Sequence, residues 1–400
     1  MKIIAYLVPF TLAVLVMIYP LRGGDTLGLG QIPSVVVLGI LGIAFTIRPR
    51  VVTALSGSDV AVLIYLLLIL ASVAVSGVSE MSLQYLTQIF TLSMIPFLMV
   101  RFFGFSLDDA KRFLRIFPYV TIISAISMLT IVGPSEILSY TGYRLGTEEL
   151  NPIGIGSVFG LSIVITIASI DLKISNAIFG MISIAVSASI LVLTGSRGPM
   201  LAVAITSMLL LLALRRLSPR MMIALGILFA TAYWVLGNLS QIMVSDRFEN
   251  AIDSTSAQDR FELWFTALDM FVAKPFTGFG LGSFEQAYGN YPHNIVLDHM
   301  VSGGILLVLS FSSIFWIILK GFSYGLVRHT SNLITILFLL CIYAVSVRFF
   351  SLSMANTKEI FLFLSMAISC SQSFHENQRS RDTTVSAASF LPNKRAKGAN

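Results

Sequence analysis

Apolar stretches of about twenty residues, separated by short polar turns, follow one another along this chain and limit what it can fold into more than any single motif does. A hydrocarbon core about 30 Å thick is crossed by about 20 helical residues rising about 1.5 Å each. Transmembrane strands would instead alternate apolar and polar residues, whereas Ala61 to Leu70 reads AVLIYLLLIL without alternation. The composition agrees: 56% of the 400 residues are hydrophobic, only 12% are charged and the mean hydropathy is +0.87. Soluble domains carry roughly a quarter charged residues. The expected fold is therefore all-α, a polytopic transmembrane helical bundle.

Apolar runs between charged or Gly/Pro punctuation place spans near 3–20, 32–48, 58–77, 83–101, 113–132, 152–170, 175–194, 199–214, 221–237, 294–319, 332–353 and 357–370, about twelve in all. The first is too long for a signal-peptide core and lacks an A-x-A cleavage pattern, so it is read as a retained span. With the N-terminus in the cytoplasm, the outer segments hold Arg22, Arg144, Arg197, Arg247, Arg260, Lys274, Arg348 and Lys358, and the rest of the 26 lysines and arginines fall inside. This positive-inside bias puts both termini in the cytoplasm. It also accounts for the net charge of +6 without nucleic acid, since no folded basic module with interleaved aromatics is present. Cys341 and Cys370 both lie in apolar segments, which argues against a disulfide framework or a cysteine metal site.

Residues 1–370 are thus expected to form one transmembrane domain, and the Ser/Arg/Lys-rich stretch 371–400 a disordered cytoplasmic tail. Two outer segments stand out by length, about 133–151 and about 238–293. The second carries a helix signature: Ser256-Ala257-Gln258-Asp259 resembles a cap with an acidic third position. Phe261, Trp264, Phe265, Leu268 and Phe271 then recur at helical spacing until Pro275. That stripe suits an amphipathic helix in the outer interface, or equally a helix that only packs on protein.

Arginine is scarce on an outer face, so each one there calls for a reason. Arg197 sits in the tight turn Thr194-Gly195-Ser196-Arg197-Gly198-Pro199, where a guanidinium is costly unless it meets an anion or snorkels. Arg144 lies in YRLGTEELNP near a span entrance, with Glu148 and Glu149 as possible surface partners. Arg260 opens the loop helix, and Arg348 is an intramembrane charge near the outer end of a late span. His293, in Tyr291-Pro292-His293-Asn294, stands at the water boundary, where an imidazole with an ordinary pKa of about 6.5 suits either a general base or a hydrogen-bonding cap. Its spacing to Asp298 and His299 matches no zinc pattern. Gly278-Phe279-Gly280-Leu281-Gly282 is not the G-x-G-x-x-G of a dinucleotide site, and neither a Walker sequence nor a G-x-S-x-G elbow occurs.

Taken together, LTGSRGPMLA (193–202), DRFELWFTALDMFVAKPFTGFGLGSF (259–284), YPHNIVLDHMVSGGI (291–305) and the earlier Arg144, Gly146 and Asn151-Pro152 resemble the O-antigen ligase and polymerase superfamily of bacterial inner-membrane glycosyltransferases. The order of motifs, the large outer loop and the helix number all fit. The resemblance implies transfer of a glycan from undecaprenyl pyrophosphate to an acceptor hydroxyl at the periplasmic surface, with no cofactor, nucleotide sugar or required metal. It implies that Arg197, Arg144, Arg260 and Arg348 are candidates to bind the pyrophosphate and that His293 takes the acceptor's proton. The acceptor is a second lipid-linked repeat unit in a polymerase, slightly favoured by the look of 291–305, and lipid A-core in a ligase. A related oligosaccharyltransferase is a third option, without an added soluble domain here. A transporter or lipid flippase of similar span number is the competing class. Repeat symmetry and midplane charges would mark that class, whereas the unusual residues here gather at one face.

Overall fold

The computed structural model describes residues 4–17, 55–102, 104–132, 145, 151–214, 255–328 and 331–389, with isolated positions between 39 and 43 and between 219 and 226. Among these residues every regular element is a helix. In chain order they are α1 (Ile4–Val16), α2 (Gly57–Ser76), α3 (Glu80–Phe102), α4 (Leu107–Val132), α5 (Pro152–Asp171), α6 (Ala177–Leu193), α7 (Arg197–Leu214), α8 (Thr255–Ala273), α9 (Ser283–Tyr288), α10 (Ile295–Arg328), α11 (Asn332–Phe350) and α12 (Lys358–Ser389). Among the described residues six helices are long and apolar enough to cross a membrane, and three shorter apolar helices accompany them. The chain is a polytopic helical membrane protein. The spans expected near 32–48 and 221–237 lie almost wholly outside the described residues.

The bundle is built around α5 and α11. Every residue of α5 from Ile153 to Asp171 is buried, as is every residue of α11 from Leu333 to Val345. Small residues make this possible, since helices approach closely in lipid where side chains are small. A Cβ on Gly160 would lie 2.4 Å from the Tyr343 hydroxyl, which in turn donates to the Ser157 carbonyl at 2.8 Å. By contrast α2 leaves Val60, Leu63, Ile64, Leu67 and Leu70 exposed, as expected of a lipid-facing helix.

Two ion pairs cross-link the interior at opposite ends. Arg101 grips Asp59 through two parallel bonds of 2.6 Å and also donates to Ser369 and Gln372. At the other end Arg348 pairs with Glu359, and both side chains are buried. Helix α3 passes through a π-turn at Ile89–Met94 just before Pro96. Proline there lacks an N–H and crowds the carbonyl four residues back, which a wider turn accommodates.

The stretch from 371 differs from its expected disorder: α12 continues as one helix to Ser389. Gln372 accepts from Arg101, and Phe374 packs on the core. These contacts anchor residues whose composition alone reads as a solvated tail.

Candidate functional site

The end of α11 and the short connection that follows it, residues 349–357, are the floor on which three other parts of the chain converge.

The first part is the turn between α6 and α7. Gly195, at φ 58°, ends α6, with its N–H bonded to the Val192 carbonyl at 2.9 Å, and Arg197 begins α7 directly afterwards. Gly198 then lies against the end of α11: a Cβ there would fall 2.3 Å from the Ser351 hydroxyl oxygen. The Leu145 N–H bonds the Leu193 carbonyl at 2.9 Å, so the residue following Arg144 is pinned beside this turn. Arg144 itself lies outside the described residues.

The second part is α8. Leu263, Trp264 and Met270 pack around Ala267 against Phe284, Leu297 and Val301, while Phe261, Phe265, Leu268 and Val272 stay exposed. The expected single apolar stripe is therefore two faces, with Trp264 inward and most of its phenylalanines outward. The Trp264 indole N–H donates to the Pro292 carbonyl at 2.8 Å, which fastens α8 to the residue before His293. Nη1 of Arg260 reaches the Phe350 carbonyl at 3.4 Å. Burial lowers the pKa of this guanidinium; Tyr291 opposes that effect and the positive charge of Arg197 adds to it. Arg197 and Arg260 thus share one electrostatic neighbourhood.

The third part is the start of α10. His293 takes a left-handed backbone conformation, φ 54°, which is uncommon for a residue with a Cβ. Its Nδ1 lies 3.3 Å from the Ser351 carbonyl oxygen, and its ring stands 4.2 Å from that of Tyr291. Burial lowers the imidazole pKa below 6.5; the bond to Ser351 opposes this, and Arg260 adds to it. Asn294 caps the helix, its Oδ1 accepting from the N–H groups of Val296 and Leu297, and its Nδ2 donates to the Phe349 carbonyl at 3.2 Å. Arg197, Arg260 and His293, 96 residues apart at the extremes, are thereby brought to one end of the bundle.

Arg348 is engaged differently. Besides Glu359, its guanidinium donates to the carbonyls of Asn356 and Ala344. Its donors point inward and tie α11 to α12, and it supports the 349–357 floor from beneath.

The glycine-rich run after α8 also finds its reason here. Gly304 breaks α10 at φ 64° and ψ −160°, freeing carbonyls one turn earlier. The N–H groups of Phe279 and Gly280 bond the carbonyls of Val301 and Ser302 at 2.7 and 3.1 Å, and Ile305 bonds back to Pro275 at 2.8 Å. A Cβ on Gly278 would fall 2.4 Å from the Val301 oxygen, so only glycine permits this interlock. The sequence excluded a dinucleotide loop here but offered no other role for the run, and its partner, Gly303-Gly304, could be matched to it only through the fold. Among the described residues no group of three or more His, Cys, Asp or Glu is placed to hold a metal ion.

Sequence reasoning passed over Asn294 and Ser351 and weighed Asp298 only as a metal ligand. An aspartate inside the apolar run 294–319 was the one signal that pointed to Asp298. No curated protein matches the chain. Residues 182–312, the stretch that carries Arg197, Arg260 and His293, match the family model Wzy_C, described as O-antigen ligase, and this match supports the resemblance of the chain to the O-antigen ligase and polymerase superfamily.

Proposed function

We propose that the protein transfers a glycan from undecaprenyl pyrophosphate to an acceptor hydroxyl at the periplasmic face of the bacterial inner membrane, with both its termini in the cytoplasm. The observation that carries this reading is that Arg260 and His293 reach the Phe350 and Ser351 carbonyls while Gly198, the residue after Arg197, packs against the Ser351 side chain. The positive charge of Arg197 is close enough to help lower the hold of Arg260 on its proton, and a diphosphate bound beside the two would offset that repulsion and meet them in fork-like geometry. With its Nδ1 proton on Ser351, His293 presents Nε2 as the acceptor for the hydroxyl proton. The hydroxyl oxygen attacks the anomeric carbon, and the bond from that carbon to the diphosphate oxygen breaks. The leaving charge falls to Arg197 and Arg260, with Arg144 as a further candidate at the same turn. A single displacement inverts the anomeric centre.

The acceptor is preferably another lipid-linked repeat unit, which makes the protein a polysaccharide polymerase. The family description favours the second reading, ligation to lipid A-core. Silver-stained lipopolysaccharide and capsule profiles of a deletion strain separate them. Single-repeat product marks a lost polymerase, and bare core with accumulated lipid-linked polymer marks a lost ligase. Unchanged profiles together with a lost solute uptake would contradict both and favour a transporter. In the complemented strain Arg197→Ala and His293→Ala should each abolish product at unchanged protein level.

A further inference from the structure

Asp298 is 2% exposed, and among the described residues no lysine or arginine forms an ion pair with it. A buried carboxylate without a cation is costly, so it is retained for what it holds. Its Oδ2 accepts from the Met354 N–H at 2.8 Å, and the Ser302 hydroxyl bonds it as well. Asn294, one turn earlier on the same face, donates to the Phe349 carbonyl. The two side chains therefore staple α10 to the floor at Phe349 and at Met354, on either side of Ser351. That residue's carbonyl is the Nδ1 partner of His293. The left-handed backbone at His293 adds to the dependence, because a conformation of this kind persists only where its surroundings over-determine it.

We propose that Asp298 is a positioning residue, whose bond to the Met354 N–H fixes the Ser351 carbonyl and so keeps the His293 proton on Nδ1, leaving Nε2 to act as base. This rests on His293 being the base of the proposed transfer. The charged and titratable groups around the pair come from five elements: Arg260 on α8 and Tyr291 near the imidazole, with Arg197 on α7 acting on Arg260, and Glu285 on α9, Tyr85 on α3 and Tyr65 on α2 near the carboxylate. Tyr85 donates to Glu285 at 2.6 Å, which leaves the Asp298 carboxylate to its own two donors.

The test uses the full chain in lipid nanodiscs, with varied lipid-linked oligosaccharide and saturating acceptor, and reads initial rates against pH beside the ring ¹⁵N spectrum of histidine-labelled protein. With 4 histidines in the chain, His293 is assigned by its loss in His293→Gln. Asp298→Ala should lower kcat by about ten- to a hundredfold with the donor KM held within about twofold, and its spectrum should show both His293 tautomers. Asp298→Asn keeps an oxygen within reach of the Met354 N–H and should restore most of the rate and the single tautomer. If Asp298→Ala fails to fold, Met354→Pro removes the donor instead. Proline is tolerated at the first position of the short Met354–Asn356 helix, after an extended Ser353, and the same mixed tautomers are expected. A wild-type His293 spectrum in Asp298→Ala or Met354→Pro overturns the proposal. Normal turnover by His293→Gln would overturn the base assignment instead, while the tautomer comparison still decides the role of Asp298.

Discussion

Gly198 and Ser351 touch where α7 meets the end of α11, and the space between them is too small for one methyl group: a Cβ on Gly198 would stand 2.3 Å from the Ser351 hydroxyl oxygen and 3.2 Å from the Phe350 Cβ. Because Ser351 and Phe350 carry the carbonyls that His293 and Arg260 reach, this contact sets the distance between the arginine turn and the histidine.

Gly198→Ala should therefore damage activity more than stability. Overpacking of this kind costs about 1 to 3 kcal/mol, which a bundle this size tolerates, whereas a displacement of about an ångström at a reacting group costs about a hundredfold in rate. Rates of the purified variant beside its thermal unfolding check this. A variant that loses little of either would show that the contact relaxes without moving Ser351.

The pH dependence follows from the imidazole. Burial first, and Arg260 second, hold the His293 pKa below 6.5, so the neutral base persists into mildly acidic solution. Activity should fall as pH drops through that lowered pKa, giving an acid limb below 6.5. Removing a cation that disfavours protonation raises the pKa, so Arg260→Gln should shift the acid limb to higher pH as well as weaken the donor's binding. A limb that stays fixed in Arg260→Gln, or moves down, would contradict the electrostatic coupling.

Arg348 and Glu359 should behave as a structural pair. Removing one partner leaves a buried charge and costs about 3 to 5 kcal/mol, whereas replacing both with apolar residues is often neutral. Arg348→Ala should deplete folded protein. The double variant Arg348→Met with Glu359→Leu should recover protein and keep measurable glycan transfer. Recovered protein with no transfer at all would return Arg348 to the group that binds the diphosphate.

The interlock at α10 gives a different outcome. Gly304→Ala places a Cβ 2.5 Å from the Phe276 backbone at a φ of 64°. Since the break supplies carbonyls that Phe279 and Gly280 satisfy, the variant should fail to accumulate in the membrane. Normal accumulation with normal activity would mean that α10 and the glycine-rich loop can separate freely.

The helical bundle was legible because apolar runs of membrane length leave few alternatives, and the loop helix because Phe261, Trp264, Phe265 and Leu268 repeat at its period. Arg197 and His293 were singled out for a related reason, since a charge or an imidazole at the edge of an apolar segment requires a partner. What holds them was not. The Arg348–Glu359 pair, the fit of Gly278 into the break at Gly304 and the staple from Asp298 to Met354 depend on which segments the fold brings together, and no local pattern encodes them. The stretch after 370 misled for the converse reason: its polar composition hides Gln372 and Phe374, which bind it to the bundle.

The central claim is that Arg197 and Arg260 grip a lipid-borne diphosphate, and affinity measures it most directly. Purified protein in nanodiscs should bind undecaprenyl pyrophosphate at least about tenfold more tightly than Arg197→Ala or Arg260→Ala does, a difference of about 1.4 kcal/mol, and should bind undecaprenol, which has no phosphate, as weakly as they do. Equal affinity of wild type and both variants for the pyrophosphate would contradict the account.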